Sequence, residues 1–117
     1  MTDTDKLLER IIEGVNKSGE PLDITITTNG TVITGRLAPR RLYLEANIRK
    51  LTDNGYPSYA DEFANEGGSL DNADYVHLTE AKLVFEGDMM PASGTAIRVA
   101  TANVQAWHVG RLERRDD

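Results

Sequence analysis

Cysteine is absent from this chain of 117 residues, and that absence removes several function classes at once. No disulfide framework, zinc-finger spacing or thiol nucleophile can be built, and a reducing compartment is the simplest setting. Long apolar runs are missing too. No stretch approaches the ~20 residues of a membrane span, and the opening MTDTDKLLERIIEG has neither a basic n-region nor a continuous apolar h-region. The expected location is therefore cytoplasmic, with no membrane span. G-x-S-x-G, P-loop and dinucleotide fingerprints are all lacking, and no Ser, His and Asp arrangement stands out. His77 and His108 are the only histidines, and neither has a ligand-type residue at helical i, i+4 spacing. Asp71, Asn72 and Asp74 are spaced like part of a calcium loop, but its glycine and distal glutamate are missing. Asn16-Lys17-Ser18 and Asn29-Gly30-Thr31 match a glycosylation acceptor only in a secreted protein, and here fall at a helix end and a turn. These exclusions predict a protein that is not an enzyme, with no catalytic residues, no metal ligands and no cofactor.

Positive charge is also scarce where it would matter. The formal net charge is −6, which argues against a general nucleic-acid binder, because phosphate neutralisation needs clustered Lys and Arg. The charges are also divided along the chain. From Asp53 to Asp74 there are six acids and no base, whereas from Arg36 to Lys50 there are five bases and one acid, Glu45. Such a chain could attach head to tail to copies of itself or present one sign to a partner. A solvated acidic stretch beside a basic helix end is the plainer reading.

The clearest local design is LDITITTNGTVITG, residues 22–35. With Asn29-Gly30 as a type I′ turn, counting outward pairs Thr28 with Thr31, Ile26 with Ile33, Ile24 with Gly35 and Leu22 with Leu37 on an apolar face. Thr25 then meets Thr34 and Asp23 meets Arg36 on a face expected to be solvated. A one-residue slip would expose every isoleucine, so the register is well specified. Gly35 is the odd member, since glycine inside a strand marks a bulge, a bend or a close backbone approach. A strongly bent second strand suits a small barrel; a plain twisted hairpin is the alternative. Asn29, Gly30 and Gly35 are thus the fold-determining residues.

Length fits one domain, 1–117. Residues 4–17 form an amphipathic helix with Leu7, Leu8, Ile11, Ile12 and Val15 on one stripe, expected to cover a sheet face or barrel mouth. The hairpin spans 22–37. A helical insertion covers 39–74, with one helix from about 39 to 52 opened by Pro39 and closed by Asp53-Asn54-Gly55. Within the insertion, Ser58 is expected to cap a short second helical turn, and GGSLDNAD reads as a polar loop. Strands occupy 75–112: YVHL, AKLVFEG, then TAIRVA and VQAWHVGRL around Ala102-Asn103, with GDMMPASG as an intervening loop. The tail 113–117 is expected to fray. Trp107, the lone tryptophan, is a core residue or, if half exposed, a partner contact with His108 beside it. Met89 and Met90 are further contact candidates.

An N-terminal helix followed by a strongly bent five-stranded antiparallel barrel, α+β overall, resembles the Sm-like plan. The hairpin looks like its first motif, and Ile97-Arg98 leading to Val104 is similar to its second. Val99 departs from it, standing where that motif carries glycine, as does the helical insertion between strands 2 and 3. Within that plan the chain resembles the gas vesicle accessory protein GvpU family. The match rests on Leu22-Asp23-Ile24, Asn29-Gly30, Ile33, Gly35, the acidic insertion, YVHLTEAKL at 75–83 and NVQAWHVGRL at 103–112. The resemblance implies a non-enzymatic cytoplasmic protein that acts in vesicle assembly or vesicle association. Its expected partners are itself, as a homo-oligomer, and gas vesicle shell or accessory proteins. The competing expectation is an Sm-like RNA-binding module using Arg40, Arg41, Arg98 and Trp107. The acidic balance and Val99 weigh against it.

Overall fold

The computed structural model describes residues 4–66 and 73–113. The order is α1 (Lys6–Ser18), β1 (Leu22–Thr28), β2 (Thr31–Leu37), α2 (Arg40–Asp53), α3 (Pro57–Ala64), β3 (Tyr75–Phe85), β4 (Asp88–Ala100), a 3-10 turn (Thr101–Asn103) and β5 (Ala106–Val109). The strands form one five-stranded antiparallel sheet in the order β4-β3-β2-β1-β5. This is the expected α+β plan of helix, bent sheet and helical insertion. The sheet stays open, with β4 and β5 as its two edges.

The first hairpin forms in the counted register, from Thr28 opposite Thr31 out to Leu22 opposite Leu37. Asn29 and Gly30 have φ of 49° and 79°, the left-handed pair a type I′ turn requires. Ile24, Ile26, Ile33 and Leu37 point into a core completed by Leu8, Ile12 and Val15 of α1 and by Val76, Leu78 and Ala81 of β3. The helix therefore covers a sheet face. Leu7 lies outside that core and is 51% exposed. Helical periodicity placed it on the edge of the stripe, and the sheet reaches only the stripe's centre.

Gly35 sits where two backbones nearly touch. A Cβ there would lie 2.9 Å from the Ala81 Cα, so only glycine lets β2 approach β3 this closely. The pairing of β2 with β3 shifts register between Thr34 and Arg36, and that of β3 with β4 shifts around Ala81. Glu80 bulges out with φ 52°, and on its other side Gly94 (φ 77°) brings β4 to 2.8 Å from the Glu80 Cα for a built Cβ. Glycines on both neighbouring strands thus make room for one bulge, which bends the sheet.

Three expectations need correction. GDMMPASG is not a loop: Glu86 and Gly87, with φ of 48° and 85°, turn β3 directly into β4, which starts at Asp88. Pro91 and Gly94 read as loop residues, yet β4 is an edge strand, where a missing N–H is tolerated. Ser58 does not cap α3, because Pro57 takes the opening helical position and Tyr56 precedes it. Thr25 and Thr34 are not solvated but 3% and 2% exposed. The chain after β5 folds back over them: the Thr25 hydroxyl donates to the Gly110 carbonyl at 2.8 Å, and the Leu112 N–H donates to Thr34 Oγ1 at 2.8 Å. In the loop around Asp71, Asn72 and Asp74, residues 67–72 lie outside the described residues, as do 114–117 of the tail.

Candidate interaction surfaces

Four features of the surface stand out, and the sequence pointed clearly to only part of them. The first is a charged grid on the threonine face. Arg111 Nε donates to Asp23 Oδ1 at 2.9 Å, Arg36 Nη1 lies 3.2 Å from Glu80 Oε2, and Arg36 and Arg111 each also reach the other acid. The Arg111 hydrogen bond, with the charges of Arg111 and Arg36, holds the Asp23 carboxyl below the usual carboxylate range. An open cleft of about 540 Å³ beside this grid is lined by Thr34, Glu80, Lys82, Met89 and Arg111 among others. Met89 is half-buried there. Because its charges pair internally, the grid is better suited to pinning the chain end than to holding a ligand.

The second feature joins the first helix to the last strand. Asp5 caps α1 by accepting from the Leu7 and Leu8 N–H groups, and its other oxygen accepts from the Trp107 indole at 2.9 Å. That indole bond is the main cause of a lowered Asp5 pKa. Trp107 is half-buried against the core, while His108 is exposed. Sequence reading found Trp107 but not its partner, although Asp5 stands directly before the apolar-periodic run, where a cap belongs.

The third feature lies where the insertion meets the sheet. Arg40 opens α2 and is 8% exposed; its backbone N–H donates to Asn16 Oδ1 at 2.9 Å. Its guanidinium lies 3.1 Å from Glu66 Oε2, while Arg98 of β4 donates to Glu66 Oε1. Arg98 also stacks 4.4 Å above the Tyr75 ring. Beneath them His77 is 2% exposed, its ring 4.9 Å from Tyr43 and 6.1 Å from Tyr75, and its Nε2 has no hydrogen-bond partner among the described residues. Burial, with the charges of Arg98 and Arg40, pushes His77 down to about 4. Burial raises Glu66, but the Arg98 hydrogen bond and the paired guanidinium of Arg40 outweigh it and leave the carboxyl below its ordinary value. Glu66, Tyr43 and His77 carried no distinctive spacing in the sequence.

The fourth is the far tip of the sheet. Leu83, Phe85 and Met90 are 39%, 62% and 54% exposed, around an open cleft of about 450 Å³ that also touches Gly30 and Thr31. The residues expected to hold RNA do not gather anywhere. Arg98 and Trp107 sit on opposite edge strands, and Arg40 and Arg98 are both engaged by Glu66. Arg41 is exposed near Gly19 on another side. Among the described residues, no group of three or more His, Asp or Glu side chains is placed to hold a metal ion. No helix among them is long and apolar enough to cross a membrane.

The fold and its surfaces thus define an α+β protein built on an open, bent antiparallel sheet whose distinctive features are strand edges and side-chain contacts. Comparison with family models narrows this class. Residues 5–112 match the gas vesicle protein GvpU-like family, and the chain belongs to it. No curated protein and no solved structure matches the chain.

Proposed function

We propose that this protein is a non-enzymatic, cytoplasmic gas vesicle accessory protein that works by protein contacts, associating with itself and with vesicle proteins during vesicle assembly or vesicle association. The observation that carries this reading is the open sheet. Among the described residues the two edge strands, β4 and β5, each pair with only one other strand of the sheet, and strand addition from another copy is the usual way to satisfy a free edge. Pro91 lacks an N–H, so the usable edge of β4 is its second half, from Thr95 to Ala100. Membership of the GvpU-like family supplies the vesicle context. The apolar tip of Leu83, Phe85 and Met90 is the natural contact for a vesicle protein, since clustered exposed apolar side chains mark interaction sites.

The test uses the buoyancy of gas-filled vesicles. Purified vesicles are mixed with the labelled protein and allowed to float, and the floating layer is assayed. Saturable recovery of the protein in that layer supports the reading. Recovery no greater than that of an unrelated acidic protein of similar size would refute it.

A further inference from the structure

The contact between Glu66 and the two arginines has a geometry that need not be confined to one chain. Helix α3 packs on α2 and touches the sheet little: of its eight residues only Ala60 is buried, and Phe63 meets Tyr43 of α2 at a ring distance of 6.4 Å. Tyr56 and Tyr59 stand 55% and 63% exposed on this segment. A cleft of about 230 Å³ remains open where Phe63 and Glu66 meet Arg98. What fastens the far end of the segment to the sheet is the Glu66 carboxylate, gripped at one oxygen by Arg40 and at the other by Arg98. At the near end stands Gly55, with φ 85°, between α2 and α3, a position at which the chain can change direction.

The receiving surface looks built for a carboxylate. Arg40 is nearly buried, Arg98 lies over Tyr75, and the buried His77 beside them has a ring nitrogen with no hydrogen-bond partner among the described residues. The charge pattern of the chain is complementary in the same sense: residues 53–66 carry acids and no base, and residues 36–50 carry five bases against one acid. A segment that closes on the sheet through one ion-pair cluster and little burial can make that contact on the sheet of an identical neighbour, because exchange of the ion pair between copies loses nothing that it does not regain.

We propose that Arg40 and Arg98 form a receptor for a glutamate carboxylate presented by an acidic, aromatic helical segment, filled by Glu66 within one chain and by Glu66 of a second copy between chains. This rests on the self-association proposed above and names a contact for it distinct from strand edges. The contact is heterologous: each copy offers a receptor at one place and a plug at another, so copies can link head to tail and need not stop at a closed dimer.

The test is complementation between two variants, E66Q and R98Q, with folding checked by circular dichroism and Trp107 emission. E66Q retains both arginines but offers no carboxylate; R98Q offers the carboxylate but has a broken receptor. Sedimentation is followed with one variant labelled at its amino terminus. Each variant alone should self-associate at least about fivefold more weakly than the unaltered chain at low salt, where charge pairs are least screened. Mixing them should restore a complex containing both, because each supplies what the other lacks. E66D should associate far better than E66Q, which separates a need for the carboxylate from a need for a folded insertion. If both variants associate as the unaltered chain does, or the mixture behaves as the average of its parts, the proposal is overturned and edge pairing stands. If the unaltered chain is itself a strict monomer, this proposal and self-association through edges fall together.

Discussion

Gly35 shows most clearly what one residue can and cannot reveal. The sequence marked it as an anomaly opposite Ile24, but not that the strand it serves is β3, whose bulge at Glu80 needs glycine on both sides. Alanine at Gly35 would set a methyl 2.9 Å from backbone, and at Gly94 it would add a left-handed φ of 77° to a 2.8 Å clash. Each substitution should lower stability by about 2 kcal/mol or more, read as a shifted urea midpoint at constant slope. Gly14 is the counterpart. It lies inside α1 with nothing within 4 Å of a built Cβ, so Gly14→Ala should stabilise by about 0.5 to 1 kcal/mol. His77 has no distinctive spacing in the sequence, and its environment comes from elements distant in the chain. It falls from an ordinary 6.5 to about 4 on folding, so between those pH values the unfolded chain binds more protons than the folded one. Stability should therefore decline as pH drops from 6.5 towards 4, by about 3 kcal/mol in all. His77→Phe should flatten the decline, and thermal unfolding across this range measures both curves. Below it, the lowered carboxyls of Asp5, Asp23 and Glu66 protonate in turn, and the stability they lend above the ordinary carboxylate range is lost.

Among the helices and strands, those with strong periodicity and turn chemistry were readable and those set by tertiary contact were not. The first hairpin was legible to the individual pair because Asn-Gly and alternating isoleucines agree. The second, through Glu86-Gly87, was hidden because Pro91 and Gly94 follow a turn that lacks asparagine. The threonine face was misjudged for a different reason: polarity predicts water, but the returning segment at 110–112 supplies hydrogen bonds in its place. Helix α1 depends on a bond 102 positions away in sequence, Trp107 to Asp5, invisible to any local pattern. Asp5→Ala removes the helix cap and the indole acceptor together, and should lower the unfolding midpoint and shift Trp107 emission to longer wavelength. Asp5→Asn keeps one acceptor oxygen for the helix cap but sets an NH2 against the indole N–H, so it should restore part of the midpoint and leave the Trp107 emission shifted. In the tip formed by β3 and β4, Phe85→Ser combined with Met90→Ser removes exposed apolar surface. Stability should change by less than about 1 kcal/mol, while recovery with floating vesicles falls.

For the whole molecule, the open sheet and the divided charge point the same way. A sheet with two edge strands, an apolar tip and an acidic segment facing a basic pair suits the protein contacts proposed above. The sequence disclosed the charge division and the family, but not that Glu66 already joins the acidic tract to the basic one. That contact arises because α2 and α3 fold back beside β4, which no spacing along the chain encodes. Salt should consequently weaken any contact made through Arg40 and Arg98 while leaving edge pairing nearly unaffected, since hydrogen-bonded strands are far less screened than exposed ion pairs. The most direct measurement is sedimentation velocity of the unaltered protein over about a hundredfold range of concentration. Self-association predicts a weight-average sedimentation coefficient that climbs with concentration and keeps a salt-resistant part. A single monomer coefficient throughout the range would contradict it.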